Sequence, residues 1–101
     1  MNKKHIAVVM GGYSSEFEIS LKSGNVVCNF IDSNKYHIYP VHISKEGWNY
    51  MAPNGRKHPV NKANFSFSDG TVVVQPDVVF NTIHGTPGED GYLQAYLSLI
   101  N

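Results

Sequence analysis

The strongest constraint on this chain is the run His5-Ile6-Ala7-Val8-Val9-Met10 and the way it stops, at Gly11-Gly12. A short apolar run rich in β-formers and closed by glycine predicts a buried strand, most often parallel and covered on both faces. After the glycines, Ser15 followed three residues later by Glu18 has the spacing of a capping box, so a helix is expected to open there. Ile19, Ser23, Val26, Val27 and Phe30 then recur at helical spacing and define the face expected to be buried. Asp32-Ser33-Asn34-Lys35 ends that helix, and Tyr36 to Ile43 alternates as a second strand. Pro40 cannot donate to a ladder, which predicts an edge position for this strand. Strand, helix, strand in this order is a βαβ unit, and right-handed crossover makes its two strands parallel.

Residues 44–76 read differently. Gly47 to Met51, Asn54-Gly55, Asn64 to Ser68 and Thr71 to Val74 suggest short antiparallel strands joined by turns, Asn-Gly being a strong hairpin signal. This stretch is expected as an excursion on the edge of the sheet. Pro76-Asp77 opens Val78 to Ile83, a further buried strand, and a glycine-rich turn from His84 to Gly91 follows it. Leu93, Tyr96, Leu97 and Ile100 line one face of a last helix, inside which the chain stops almost at once. That ending suggests a cut from a larger protein.

With 101 residues the chain makes one domain, which buries roughly two-thirds of its unfolded surface. Its apolar share of 42% argues against disorder, and its apolar runs are strand-length, far short of a bilayer helix. Eight basic residues balance eight acidic ones, which argues against a large nucleic-acid footprint and a polybasic membrane surface. A single cysteine, Cys28, excludes an internal disulfide and reads as a small core residue of the helix. No signal peptide precedes the first strand, so the cytoplasm is the expected compartment.

Chemistry is expected at the two strand-to-helix turns, residues 11–16 and 84–91. In an open parallel α/β sheet, ligands bind at the carboxyl ends of the strands, where such turns gather. If the first and last strands are neighbours, Glu16 and His84 approach one crevice from different turns. Both turns offer backbone amides at a helix N-terminus, which attract carboxylate or phosphate. Each feature also has a plain structural reading. Gly11-Gly12 can simply allow a tight turn, Glu16 and Glu18 can complement a helix dipole, and His84 can be a capped structural histidine. Glu89 and Asp90 sit where a helix N-cap is expected. No Gly-Lys-Ser/Thr follows the glycines and no G-x-G-x-x-G is present, which excludes the Walker loop and the dinucleotide fingerprint. His5, His37, His42 and His58 show no spacing that suggests a metal site, and His37 and His42 fall on opposite faces of one strand.

The segment Gly11-Gly12-Tyr13-Ser14-Ser15-Glu16-Phe17-Glu18-Ile19-Ser20-Leu21 resembles the G-G-x-S-x-E-x-E-[VI]-S-L signature of D-alanine–D-alanine ligases. Asp77 to Gly91 is similar to that family's second signature, ending in H-G-x-x-G-E-D-G, and Gln94 with its apolar helix also fits. The two signatures stand in order and together span nearly the whole chain, 44–76 being the least diagnostic part. The resemblance implies a Rossmann-like α/β domain: an open, mostly parallel sheet with helices on both faces and a small antiparallel excursion around 44–76. It implies residues 1–101 to be the amino-terminal substrate-binding domain that precedes the ATP-grasp domains, absent here.

The activity so implied is the ATP-dependent joining of two D-alanines for peptidoglycan. ATP phosphorylates the first carboxylate, and the second amine attacks the acyl phosphate. Carried over residue by residue, Glu16 matches the glutamate that holds the first D-alanine's ammonium, and His84 the histidine beside its carboxylate. Ile19 falls where an apolar side chain lies near the substrate methyl. A first-turn carboxylate stays ionised and can make a charge-assisted hydrogen bond, while an imidazole donor offsets developing charge. ATP and magnesium are implied for the full-length enzyme and not for this stretch alone, and a homodimer is a reasonable expectation. The other classes considered are a stand-alone flavodoxin-like module binding an anion or nucleotide, and an interaction domain in which the turns are only architecture.

Overall fold

The computed structural model of the chain describes residues 3–83, residues 14 and 16 excepted. Among the described residues, seven strands and one helix follow in the order β1 (Lys4–Gly11), α1 (Phe17–Phe30), β2 (Tyr36–Ser44), β3 (Gly47–Met51), β4 (Lys57–Pro59), β5 (Phe67–Ser68), β6 (Val73–Val74) and β7 (Val78–Asn81). Five strands form one sheet in the order β4-β3-β2-β1-β7, and β5 pairs with β6 in a second, two-stranded sheet. The βαβ reading holds: β1 and β2 are parallel from Lys4↔Tyr36 to Gly11↔Ile43. β7 runs parallel on the other side of β1, from Ile6↔Val78 to Val9↔Asn81. The sheet is thus parallel at its centre and continued by an antiparallel meander through β3 and β4.

β1 carries the core because it lies between two partners, with Ala7, Val8, Val9 and Met10 all fully buried. Helix α1 covers the face of Val8 and Met10. It comes very close: a Cβ added at Gly24 would stand 2.6 Å from Met10 Cβ. The face so buried is not the one the apolar spacing predicts. Ser20 and Gly24 face the sheet, whereas Ile19, Val26 and Phe30 are 58%, 64% and 90% exposed. Small residues let helix and strand approach closely, and this selects the Ser20–Gly24 stripe over the bulkier one beside it. Asp32 stops the helix with an Asx turn, its carboxylate accepting the Asn34 amide at 2.9 Å. Cys28 is a half-buried free thiol on α1, its pKa raised by burial.

Two further expectations are corrected. β2 is an interior strand, despite Pro40. The proline lies one residue before the ladder to β3 begins at Val41↔Tyr50, so its missing donor interrupts no bond to β3. β7 is half-exposed rather than buried, with Val78 and Phe80 at 46% and 48%, and it ends at Asn81 instead of running to Ile83.

The antiparallel excursion is real, with Asn54-Gly55 turning β3 into β4, yet it does more than extend an edge. Its residues 60–74 fold back over the sheet face opposite α1. There Val60, Phe65, Phe67 and Val74 join Ala7, Val9, Tyr39, Val41, Ile43, Trp48, Tyr50 and Ile83 in one buried cluster. Phe67 meets Tyr50 at 5.1 Å and Tyr39 at 5.4 Å between ring centroids. Phe65 takes a positive φ of 52°, a conformation a bulky side chain adopts only where packing compels it. Helices on both faces were expected; among the described residues α1 covers one face and this arm the other. The expected last helix lies outside the described residues. No helix among the described residues is long and apolar enough to cross a membrane.

Candidate substrate cleft at the carboxyl edge of the sheet

Because β1 and β7 are parallel neighbours, the turns that follow them leave from the same edge of the sheet. This is the juxtaposition that the sequence made conditional for Glu16 and His84. Glu16, which immediately precedes α1, and His84, two residues beyond Thr82, themselves lie outside the described residues, as do Glu89 and Asp90. Ile19 is described and presents its side chain to solvent in the first turn of α1, beside the exposed Glu18.

The first turn is held from three sides. Gly11 and Gly12 take φ values of 101° and 103°, which few side chains tolerate. The Gly12 amide donates to Ile43 O at 2.7 Å, tying the turn to β2. Tyr13 Oη accepts the indole N–H of Trp48 at 2.9 Å, tying it to β3. The Lys62 ammonium stands 4.8 Å above the Trp48 ring, which caps this post with a cation. The Gly11 amide donates to Ser20 Oγ at 2.9 Å, tying the turn to α1. Beside the turn lies an open groove of about 340 Å³, lined by Gly12, Tyr13, Phe17, Ser44, Lys45 and Glu46. The second turn is anchored by Thr82, whose amide and hydroxyl both donate to Val9 O, at 3.0 and 2.7 Å. The Asn81 carboxamide accepts the Ile83 amide at 2.9 Å.

Sequence reasoning assigned nothing to Ser20, Trp48 or Thr82, although they hold these turns. Ser20 did appear as a fixed serine of the first signature, but no role was attached to it, and hydrogen bonds between distant segments leave no periodic signal. His37 and His42 do face opposite sides, since they pair with His5 and Met10 respectively. His5 and His37, however, stack at 4.9 Å across the parallel ladder, and His5 Nδ1 lies 2.8 Å from Tyr39 Oη. Among the described residues no three His, Cys, Asp or Glu side chains are grouped as metal ligands.

His42 gives the domain an acid-sensitive point. Burial first, and the Lys57 ammonium second, hold its imidazole below the ordinary value of 6.5. Above that value both folded and unfolded chains are neutral here. As pH falls below it, the unfolded chain takes up a proton that the folded one resists, so stability declines until the lowered folded value is passed. Asp69, held below 3.8 by backbone amides of Val72 and Thr71, acts in a separate, lower window. Urea midpoints measured from about pH 7 to 5 should fall, and His42→Gln should flatten that slope.

A sheet that is parallel at its centre, with β1 and β7 ending at one edge, defines an open α/β domain, a class in which ligands bind at the carboxyl ends of the strands. A family model described as D-ala D-ala ligase N-terminus matches residues 5–101. The D-alanine–D-alanine ligase of Christiangramia forsetii is 54% identical over 98 residues, covering 97% of this chain and 30% of the relative. That of Flavobacterium psychrophilum is 52% identical over 97 residues, 96% of this chain and 29% of the relative. Among solved structures, the D-alanine–D-alanine ligase of Coxiella burnetii superposes with a TM-score of 0.83 at 32% identity, over 99% of this chain and 34% of that one. VanG D-Ala:D-Ser ligase of Enterococcus faecalis gives 0.81 at 31% identity, over 98% and 34%. The chain belongs to the D-alanine–D-alanine ligase family and corresponds to its amino-terminal domain. It spans about 30% of the length of the curated relatives it matches.

Proposed function

We propose that this chain is the amino-terminal, substrate-binding part of an ATP-dependent D-alanine–D-alanine ligase acting in the cytoplasm on peptidoglycan precursors. The observation that carries the reading is the parallel pairing of β1 with β7, which sends both signature turns from one edge. Glu16 takes the ammonium of the first D-alanine and His84 its carboxylate, with Ile19 beside the methyl. A carboxylate and an imidazole at opposite ends of one amino acid fix its orientation before its carboxylate becomes an acyl phosphate. ATP and magnesium belong to the full-length enzyme in this reading, as membership of the ligase family implies, and are not assigned to this domain alone. A homodimer of the whole protein belongs to the same reading. Neither nucleic acid nor membrane enters it, in keeping with eight basic against eight acidic residues.

The stand-alone anion-binding module is not favoured, because the relatives at 54% and 52% identity are ligases. The fold is shared with a D-Ala:D-Ser ligase as well as a D-alanine–D-alanine ligase, which supports a reading in which this domain does not choose the second substrate. The test is phosphate release with D-alanine and ATP by the protein carrying residues 1–101 as its amino-terminal third. Glu16→Gln keeps the shape and removes the charge, and should lower kcat/KM for D-alanine by about a hundredfold, the size of a lost charge-assisted bond. Retained activity in that variant rejects the assignment. Residues 1–101 alone should bind D-alanine no tighter than about millimolar, since half a cleft makes too few contacts.

A further inference from the structure

Ser20 has no accessible surface at all, and its hydroxyl joins three separate segments of the chain. Its Oγ accepts the Gly11 amide at 2.9 Å and donates to Thr82 O at 2.8 Å. One atom of the first turn of α1 therefore meets the last residue of β1 and the residue after β7. The two strands do not need this hydroxyl to pair, because Thr82 already closes on Val9 O through its amide and its own hydroxyl. Nor does the helix need it for packing, where Gly24 against Met10 sets the approach. What the Ser20 hydroxyl adds is a fixed separation between the Gly11–Gly12 turn and the turn that begins at Thr82.

We propose that Ser20 is a positioning residue: its buried hydroxyl sets the spacing of the two turns that carry Glu16 and His84, and so the fit of the cleft to one D-alanine. The proposal rests on the ligase reading above. Glu16 follows Gly11 by five residues and His84 follows Thr82 by two, so each comes within one short turn, along the chain, of a backbone group that Ser20 holds. Without the hydroxyl, the Gly11 amide and Thr82 carbonyl lose a buried partner and move to find another, since unpaired buried groups are costly. A shift of that kind alters the distance between two groups that must meet opposite ends of a small rigid ligand, to which transition-state geometry is steeply sensitive.

The experiment compares Ser20→Ala, Ser20→Thr and Ser66→Ala in the whole ligase. Ser66 is also a buried, hydrogen-bonded serine, its hydroxyl donating to Asn64 Oδ1 at 2.6 Å, but in the covering arm. Ser20→Ala should raise the half-saturating D-alanine concentration about tenfold while leaving that for ATP within about twofold. Ser20→Thr, which keeps the hydroxyl, should recover most of the loss; if its methyl prevents folding, Ser20→Cys with its weak S–H donor should fall between. Ser66→Ala should lower the Tm comparably and leave D-alanine saturation unchanged. Equal shifts for D-alanine and ATP, or the same shift in Ser66→Ala, would show a structural role and overturn the proposal. A wild-type protein releasing no phosphate with D-alanine and ATP overturns the ligase reading and this proposal together, whereas an active wild type with an unshifted Ser20→Ala overturns the proposal alone.

Discussion

Gly11→Ala should lower the stability of this domain by about 3–5 kcal/mol, combining backbone strain with overpacking. Two costs add at this position. The backbone sits at φ +101°, which an L side chain rarely adopts, and the new Cβ would stand 2.5 Å from Ile43 O and 2.7 Å from the Phe17 ring. A ring edge can rotate away. A carbonyl of β2 cannot, because it also accepts the Gly12 amide at 2.7 Å, and moving it opens the link that seats the turn on the sheet. Gly55 separates the two costs, since it has φ +86° but nothing within 4 Å of an added Cβ. Gly55→Ala should therefore pay only the strain, about 1 kcal/mol. Urea midpoints of the two variants measure the difference. A Gly11→Ala loss no larger than that of Gly55→Ala would mean that contact with Ile43 does not hold the turn. With a small domain holding some 5–15 kcal/mol in all, the larger figure leaves a substantial unfolded fraction on heating.

That turn was also the most legible part of the sequence. An apolar run stopped by two glycines can be little else than a buried strand entering a tight turn, and β1, α1, β2 and the Asn54-Gly55 hairpin all follow from local chemistry. The illegible parts are those decided between segments. The face α1 buries depended on how closely the helix could approach Met10, so Ser20 and Gly24 went inward and the larger Ile19, Val26 and Phe30 outward. Pro40 marks an edge in most sheets, but here the antiparallel ladder to β3 starts one residue later and the strand is interior. For the candidate site, the signatures named Glu16, His84 and Ile19, and strand pairing brought the two turns to one edge. The roles of Ser20, Trp48 and Thr82 were not legible, although the signatures include Ser20 and Thr82, because a hydrogen bond between residues 62 or 73 apart follows no period.

The covering arm is where the sequence reading and the structure part most, and Phe67→Ala tests the difference. If residues 60–74 were only an excursion at the sheet edge, truncating one side chain there would cost little, as for most surface changes. Phe67 is instead 3% exposed and touches Tyr39 and Tyr50, which belong to the adjacent strands β2 and β3 of the main sheet. It lies in a two-residue strand that pairs, among the described residues, with β6 rather than with the main sheet, so what this side chain contributes to seating the arm is ring packing. Removing such a ring deletes transfer free energy and leaves a cavity that a rigid sheet cannot close, about 3–5 kcal/mol in well-packed cores. Phe67→Leu keeps most of the volume and should cost less than about 1.5 kcal/mol. Both variants should show up in denaturant midpoints, and Phe67→Ala should also release the tyrosines to solvent, visible as loss of near-UV dichroism at native concentrations of denaturant. A midpoint shift within 0.5 kcal/mol of wild type, the range of ordinary surface substitutions, would return the arm to the periphery. The larger loss makes it the layer that, opposite α1, keeps β1 and β2 dry, and so part of what fixes the strand ends of β1 and β7 at one edge of so small a sheet.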